Sequence, residues 1–263
     1  MSSREEDLAL ALMLVDLADT ITLGRFRAED LQVQTKPDLT PVTEADRAVE
    51  HAIRERLAAV RPQDAVVGEE FGPSAQGLRR RWIIDPIDGT KGYLRGVPVW
   101  ATLLALEEAG EIVLGVASAP ALQRRWWAVR GEGAFARDGL APTPRPIHVS
   151  AVDSLGDAHV SYGGLAEWTK IGRREMLLEL ISRCWRSRAF GDAWSYMMVA
   201  EGVVDIGGVE PNVTLWDLAV PLLIVEEAGG RFTDLHGSRR ADGGSGVATN
   251  GLLHDATLAI VGF

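Results

Sequence analysis

The nine residues Trp82-Ile83-Ile84-Asp85-Pro86-Ile87-Asp88-Gly89-Thr90 constrain this chain more than any other stretch. Their apolar start reads as a buried β-strand that delivers Asp85 to its C-terminal end. Pro86 fixes φ and removes a backbone N–H, so the chain is expected to turn there. Asp85 and Asp88 would then point into one space, with the Ile87 carbonyl as a third oxygen. Carboxylate and carbonyl oxygens suit a hard cation such as magnesium. Gly89 and Thr90 next offer backbone N–H groups, and Thr90 a hydroxyl. A short helix starting there would favour a phosphate at its N-terminus. The alternative is a turn in which the two aspartates only cap backbone groups.

Two further acidic positions argue for the metal. Gly68-Glu69-Glu70 follows an apolar run at Ala65–Gly68. One of these glutamates could complete a metal site, the other being structural or solvated; for either one alone, a solvated position is the competing reading. In Thr214-Leu215-Trp216-Asp217, Thr214 reads as an N-cap, which places Asp217 in the first turn of a helix. Compensation of the helix dipole is the competing reading for Asp217. The five histidines, His51, His148, His159, His236 and His254, contain no pair at i, i+4 metal-ligand spacing. An all-oxygen site follows, which favours magnesium or manganese over zinc.

Charge and cysteine use narrow the function classes. The net charge is −10 from 27 basic and 37 acidic residues, which argues against a nucleic-acid face. An acidic protein still binds a phosphate ester where divalent cations invert the local charge. The single cysteine, Cys184, excludes a disulfide framework within one chain and reads as a buried or half-buried thiol. The N-terminus carries acids where a signal peptide carries bases. No apolar run approaches the roughly 20 residues of a membrane span. A cytoplasmic location without membrane attachment is the expectation.

The 263 residues, 46% of them hydrophobic, suit one large α/β domain or two packed halves. Helical periodicity covers residues 5–26, with Leu10, Leu14, Leu17 and Ile21 on one face, and residues 43–60, with Thr43 as N-cap. Short apolar runs at 65–68, 82–84, 99–106, 112–118 and 125–129 read as strands. Trp126 and Trp127 would then face opposite sides of one strand. The second half reads as helix 169–183, strand 186–190, helix 192–201 with Asp192 a candidate N-cap, strand 203–207, and a helix from Thr214 to Gly229-Gly230. The Gly- and Pro-rich stretch 136–146 marks the expected boundary. It would leave metal and phosphate motifs in 1–145 and the substrate side with the last metal ligand in 146–263.

Taken together, Gly68-Glu69-Glu70, Trp82 to Thr90, Trp216-Asp217-Leu218-Ala219 and Glu227-Ala228-Gly229-Gly230 resemble the inositol-monophosphatase family of magnesium-dependent phosphatases. Within it, the segments Thr35-Lys36-Pro37-Asp38-Leu39-Thr40-Pro41-Val42-Thr43, Ser118 to Trp127 and Ala248 to His254 resemble the bacterial histidinol-phosphate phosphatases. The resemblance implies an α/β fold of α+β type, a layered α-β-α-β-α sandwich shared with fructose bisphosphatases. It implies that Glu69, Asp85, Asp88, Asp217 and the Ile87 carbonyl hold two or three magnesium ions, with manganese as a substitute. Glu69 and Thr90 would orient the attacking water. Asp88, Gly89 and Thr90 would hold phosphate oxygens, and Asp46 would lie in the outer shell of a further metal. Glu210 matches a position that contacts the alcohol part of the substrate, a small phosphorylated alcohol. Asp192 joins it as a candidate for an ammonium, and Arg188 as a third substrate-side residue. Trp194, Trp168 and Tyr162 would face an imidazole or else pack in the core. The family also implies a homodimer.

Two features sit apart from the family pattern. Pro221 falls inside the expected last long helix, at a cost of about 3 kcal/mol unless the helix kinks. Lys91-Gly92-Tyr93 puts a glycine in the turn after Thr90, where it would loosen the helix start. The activity implied is hydrolysis of histidinol phosphate by metal-activated water, without a phosphoenzyme. A broader inositol- or sugar-phosphate monoesterase, a nucleotide bisphosphate phosphatase and a non-enzymatic metal-binding regulator are the competing readings.

Overall fold

The computed structural model describes residues 3–37, 39–74, 79–139 and 143–263. Asp38, and residues 140–142 of the expected boundary, lie outside the described residues. By internal packing the chain divides into two compact units. One is Met1–Arg130 with Ala136–Pro144, the other Gly131–Phe135 with Arg145–Phe263.

The first unit contains α1 (Ser3–Arg25), β1 (Val33–Thr35), β2 (Pro41–Thr43), α2 (Glu44–Val60), β3 (Ala65–Gly68), β4 (Gly72–Pro73), β5 (Arg80–Asp88), α3 (Thr90–Leu94), β6 (Ala101–Glu108), β7 (Glu111–Ala119) and β8 (Arg124–Val129). The last three residues of β9 (Gly133–Asp138) also belong to it. Its sheet runs β8-β7-β6-β5-β3-β4, antiparallel except where β3 lies parallel to β5. Leu10, Leu14, Val49, Ile53 and Leu57 from the two long helices pack on Trp82, Ile84, Leu104, Leu106 and Val116 of the sheet. Of the expected face of α1, Leu10 and Leu14 are buried and Ile21 packs on the same core, but Leu17 is exposed, because the buried stripe follows residues 7, 10, 11, 14, 15, 18 and 22. β5 is buried on both faces from Trp82 to Asp88, which explains its unbroken apolar run. Trp126 is buried and Trp127 half-buried.

The second unit contains β10 (Arg145–Pro146), β11 (His159–Ser161), α4 (Leu165–Lys170), α5 (Arg174–Arg183), β12 (Arg186–Arg188), α6 (Asp192–Ala200), β13 (Ile206–Pro211), α7 (Leu215–Glu227), β14 (Arg231–Thr233), β15 (Ser245–Thr249) and α8 (His254–Val261). Its sheet runs β12-β11-β13-β15-β14, with β11 parallel to both neighbours. Val160, Trp168, Leu177, Leu180, Ile206 and Val247 form its core.

Several boundaries move. The helix expected over 169–183 is two helices. The amides of Gly172 and Arg173 bond back to Thr169 and Trp168, which closes α4 before α5 begins. The strand expected over 186–190 stops at Arg188, and the one expected over 203–207 runs Ile206–Pro211 instead. The cap of α6 is Gly191 rather than Asp192, without a side-chain bond. α7 continues through Pro221, with Leu218 to Val225 buried along its length. No helix among the described residues is long and apolar enough to cross a membrane.

Candidate active site

The first unit builds one part of the site around an irregularity in β5. Asp85 pairs with Leu103 and Asp88 with Ala101, and the register shifts between them. The strand therefore does not turn away at Pro86, as expected from the sequence. It bulges and stays in the sheet, because a bulge accommodates a residue that cannot donate to the ladder. Thr102 Oγ1 donates to the Pro86 carbonyl at 2.8 Å, which fixes the bulge from the neighbouring strand. The bulge gathers the two acids. Asp85 is 2% exposed and Asp88 8%, and each offers a carboxylate oxygen within 4.8 Å of the other.

Gly89 follows with φ +83°, a conformation that suits glycine, and caps α3. Thr90 Oγ1 donates to the Ile87 carbonyl at 2.9 Å and lies 3.3 Å from Asp46 Oδ1. Asp46 belongs to the capping box of α2, where its Oδ2 accepts from Thr43 N at 2.8 Å and Thr43 Oγ1 at 2.5 Å. Burial raises the Asp46 carboxyl above its ordinary range, and the Thr43 bonds oppose that shift. Asp46, Ile87 and Thr90 thus form one hydrogen-bonded group.

Glu69 leaves the end of β3, where its amide donates to the Ile84 carbonyl at 3.2 Å. Lys36 Nζ lies 2.7 Å from Glu69 Oε1 and 2.6 Å from Glu70 Oε1. Burial works against the Lys36 charge, but the bonds to Glu69 and Glu70 outweigh it and raise the ammonium above its usual range. Burial pushes the Glu70 carboxyl up, and Lys36 opposes this. Behind them stands Glu50, fully buried on α2. Its Oε2 accepts from Glu70 N at 2.7 Å, and its Oε1 accepts from Phe71 N at 3.2 Å and Arg54 Nε at 2.8 Å. A Cβ on Gly68 would overlap the Glu50 carboxylate, so a side chain there would displace Glu50 from its hydrogen bonds.

Lys36 and Glu50 escaped the sequence reading. Lys36 lies inside a stretch read as scaffold. Glu50 did leave a signal: it stands one turn after Asp46 on the face that carries Val49 and Ile53, and an acid on an apolar face needs partners.

The second unit presents its own acids. Asp217 is at the third position of α7, with Oδ2 accepting from Thr214 N at 2.6 Å and Thr214 Oγ1 at 2.8 Å. Glu210 sits on a second bulge, where β13 shifts register against β15 between Gly207 and Glu210. Val209 there has φ +51°, a strained conformation for a β-branched residue. Trp168 Nε1 donates to the Val209 carbonyl at 3.0 Å and holds it. Tyr196 Oη, also missed in the sequence, donates to Glu210 Oε2 at 3.1 Å. Burial, then the charge of Asp192, push the Glu210 carboxyl up to about 8. Asp192 also donates its backbone N–H to that carboxylate. Arg188 is exposed at the end of β12, with Nη1 donating to the Ser187 carbonyl at 2.7 Å. Trp168 is buried in the core, and Tyr162 and Trp194 are half-buried. Cys184 is half-buried, as expected, and burial raises its thiol to about 11.

Of the acids expected as metal ligands in the first unit, Asp85 and Asp88 come together as oxygen donors, while Glu69 pairs with Lys36. That chemistry fits magnesium or manganese. The model of the inositol monophosphatase family matches residues 3–262. The chain belongs to this family. A histidinol-phosphatase of Mycobacterium tuberculosis is 56% identical over 254 residues, 96% of each chain. A histidinol-phosphatase of Streptomyces coelicolor is 54% identical over 257 residues, again 96% of each. The crystal structure of the extragenic suppressor protein suhB from Bartonella henselae superposes with a TM-score of 0.88 at 29% identity, covering 97% of this chain and 98% of that one. The fold is thus of the inositol-monophosphatase type, as the motifs imply.

Proposed function

We infer that this family member is a phosphoric monoester hydrolase that converts histidinol phosphate and water to histidinol and phosphate. The observation that carries the substrate is the 56% and 54% identity, over nearly the whole chain, to two proteins named histidinol-phosphatase. The oxygen-only donor set around the β5 bulge supports the metal-dependent chemistry.

In this reading Glu69, Asp85, Asp88, the Ile87 carbonyl and Asp217 would hold magnesium. Magnesium there would supply Lewis-acid chemistry, offsetting charge on the phosphoryl group and making water a better nucleophile. Glu69 would accept from the attacking water and Thr90 Oγ1, which lies 3.3 Å from Asp46 Oδ1, would orient it. The amides of Gly89 and Thr90 hold phosphate oxygens, and Asp88 lies beside them. Water oxygen bonds to phosphorus as the ester P–O bond breaks, and the leaving alkoxide takes up the proton that the attacking water releases, giving the alcohol. No side chain is phosphorylated. Glu210 and Asp192 receive the substrate ammonium, with Arg188 on the same side. The protein works in the cytoplasm as a homodimer.

Phosphate release from histidinol phosphate, inositol phosphate, fructose bisphosphate and adenosine bisphosphate, with magnesium and with chelator, tests this. Histidinol phosphate should give the highest kcat/KM, and chelator should stop release. A preference for inositol phosphate would move the protein to the broader monoesterase reading. Release that survives chelation would remove the metal from the account.

A further inference from the structure

Glu210 is held in place from several sides. The β13 bulge that carries it has two left-handed residues in a row, Gly208 at φ +72° and Val209 at φ +51°. Each is tied down. Trp168 Nε1 donates to the Val209 carbonyl at 3.0 Å, Gly163 N to the Gly208 carbonyl at 3.2 Å, and Gly208 N to Ser195 Oγ at 3.0 Å. On that fixed backbone Tyr196 Oη donates to Glu210 Oε2 at 3.1 Å. Tyr196 is 1% exposed, with its ring packed on Phe232 at 5.9 Å between centroids. A Cβ on Gly208 or Gly246 would meet the Tyr196 hydroxyl, and one on Gly163 would overlap Glu210 Oε1. The tyrosine and the carboxylate therefore fill room that bare glycine backbone leaves open. Burial and the charge of Asp192 work against an ionised Glu210, and the Tyr196 bond is the largest influence that favours it.

We propose that Tyr196 is a positioning residue that sets substrate specificity, its hydroxyl holding Glu210 in the orientation that receives the substrate's ammonium. This rests on the reading of the protein as a histidinol-phosphate hydrolase. A carboxylate offers about four acceptor sites. Tyr196 and the Asp192 amide take two of them, which leaves acceptor capacity for a cation. Without the phenol hydroxyl the buried carboxylate loses a donor and its fixed orientation, and a cationic partner gains less from it. The ring of Tyr196 has a second duty, packing against Phe232. Tyr196→Phe keeps that packing and removes the hydroxyl alone, so it separates the two duties.

Steady-state kinetics of the magnesium-loaded full chain test this with histidinol phosphate and with 3-(imidazol-4-yl)propyl phosphate, the same ester without its ammonium. The wild-type chain should favour histidinol phosphate in kcat/KM by at least about tenfold. Tyr196→Phe should raise KM for histidinol phosphate about tenfold, hold kcat within about twofold, and leave both constants for the second ester unchanged. Gly163→Ala, which displaces the Glu210 carboxylate from the other side, should give the same selective rise. In a Glu210→Gln background, Tyr196→Phe should cost no more than about twofold. A loss in Tyr196→Phe shared by both esters, an unchanged KM for histidinol phosphate, or an undiminished loss in the Glu210→Gln background overturns the proposal. A wild-type chain that treats the two esters alike overturns the ammonium reading itself, and the proposal with it.

Discussion

His254 shows how a single buried residue ties this fold to pH. Its ring is fully buried, with Nε2 2.9 Å from Thr233 Oγ1 and Nδ1 3.1 Å from Thr249 Oγ1. Burial, then the charge of Arg231, lower the imidazole to about 4. The folded state therefore binds fewer protons than the unfolded one between about pH 4 and the ordinary histidine value near 6.5. The stabilisation it provides is complete above that ordinary value. It declines as pH falls toward 4. Urea midpoints at pH 7.5 and 5 should differ more for the wild-type chain than for His254→Gln; an equal difference would remove His254 from the account. Residues of this kind are only partly legible in a sequence. Asp85 and Asp88 could be read because Pro86 interrupts an apolar run between them. Lys36 and Tyr196 could not, since a lone lysine in a polar loop or a tyrosine in a helix carries no spacing that names its partner.

At the scale of elements, two bulges place carboxylates. The β5 bulge sets Asp85 and Asp88, and the β13 bulge sets Glu210. The first is braced by Thr102, which is fully buried. Thr102→Val should leave the buried Pro86 carbonyl without its donor, at about 1–3 kcal/mol of stability. It should also raise the magnesium concentration needed for half-maximal phosphate release; unchanged values of both would deny the brace. Helix caps were the most legible elements, because Thr43 with Asp46 and Thr214 with Asp217 repeat a four-residue pattern with a local cause. The second bulge was hidden. Gly207-Gly208 reads as the end of a strand, whereas pairing with β15 carries the strand on to Pro211. The break between α4 and α5 was hidden for the same reason, since apolar periodicity continues across it.

On the scale of the whole molecule, each unit owns a core and a share of the proposed chemistry. The first carries Glu69, Asp85, Asp88 and Thr90, and the second Asp217 and Glu210. The order of these motifs along the chain made the family legible, since distant acids in fixed sequence have few physical reasons to recur together. Metal bound by the acids proposed as its ligands would stabilise the folded state by mass action. At tenfold excess over Kd, magnesium should add about 1.4 kcal/mol to unfolding. Asp217→Asn should lose most of that increment in a thermal melt; an undiminished magnesium shift would free Asp217 from the metal.

The account stands on acids at the β5 bulge binding the cation that makes ester hydrolysis possible. Phosphate release from histidinol phosphate, titrated with magnesium for the wild-type chain and for Asp88→Asn, addresses it most directly. The wild-type rate should rise to saturation, and the variant should be slower by at least about a hundredfold with its circular dichroism retained. Equal turnover by a folded Asp88→Asn protein would contradict it.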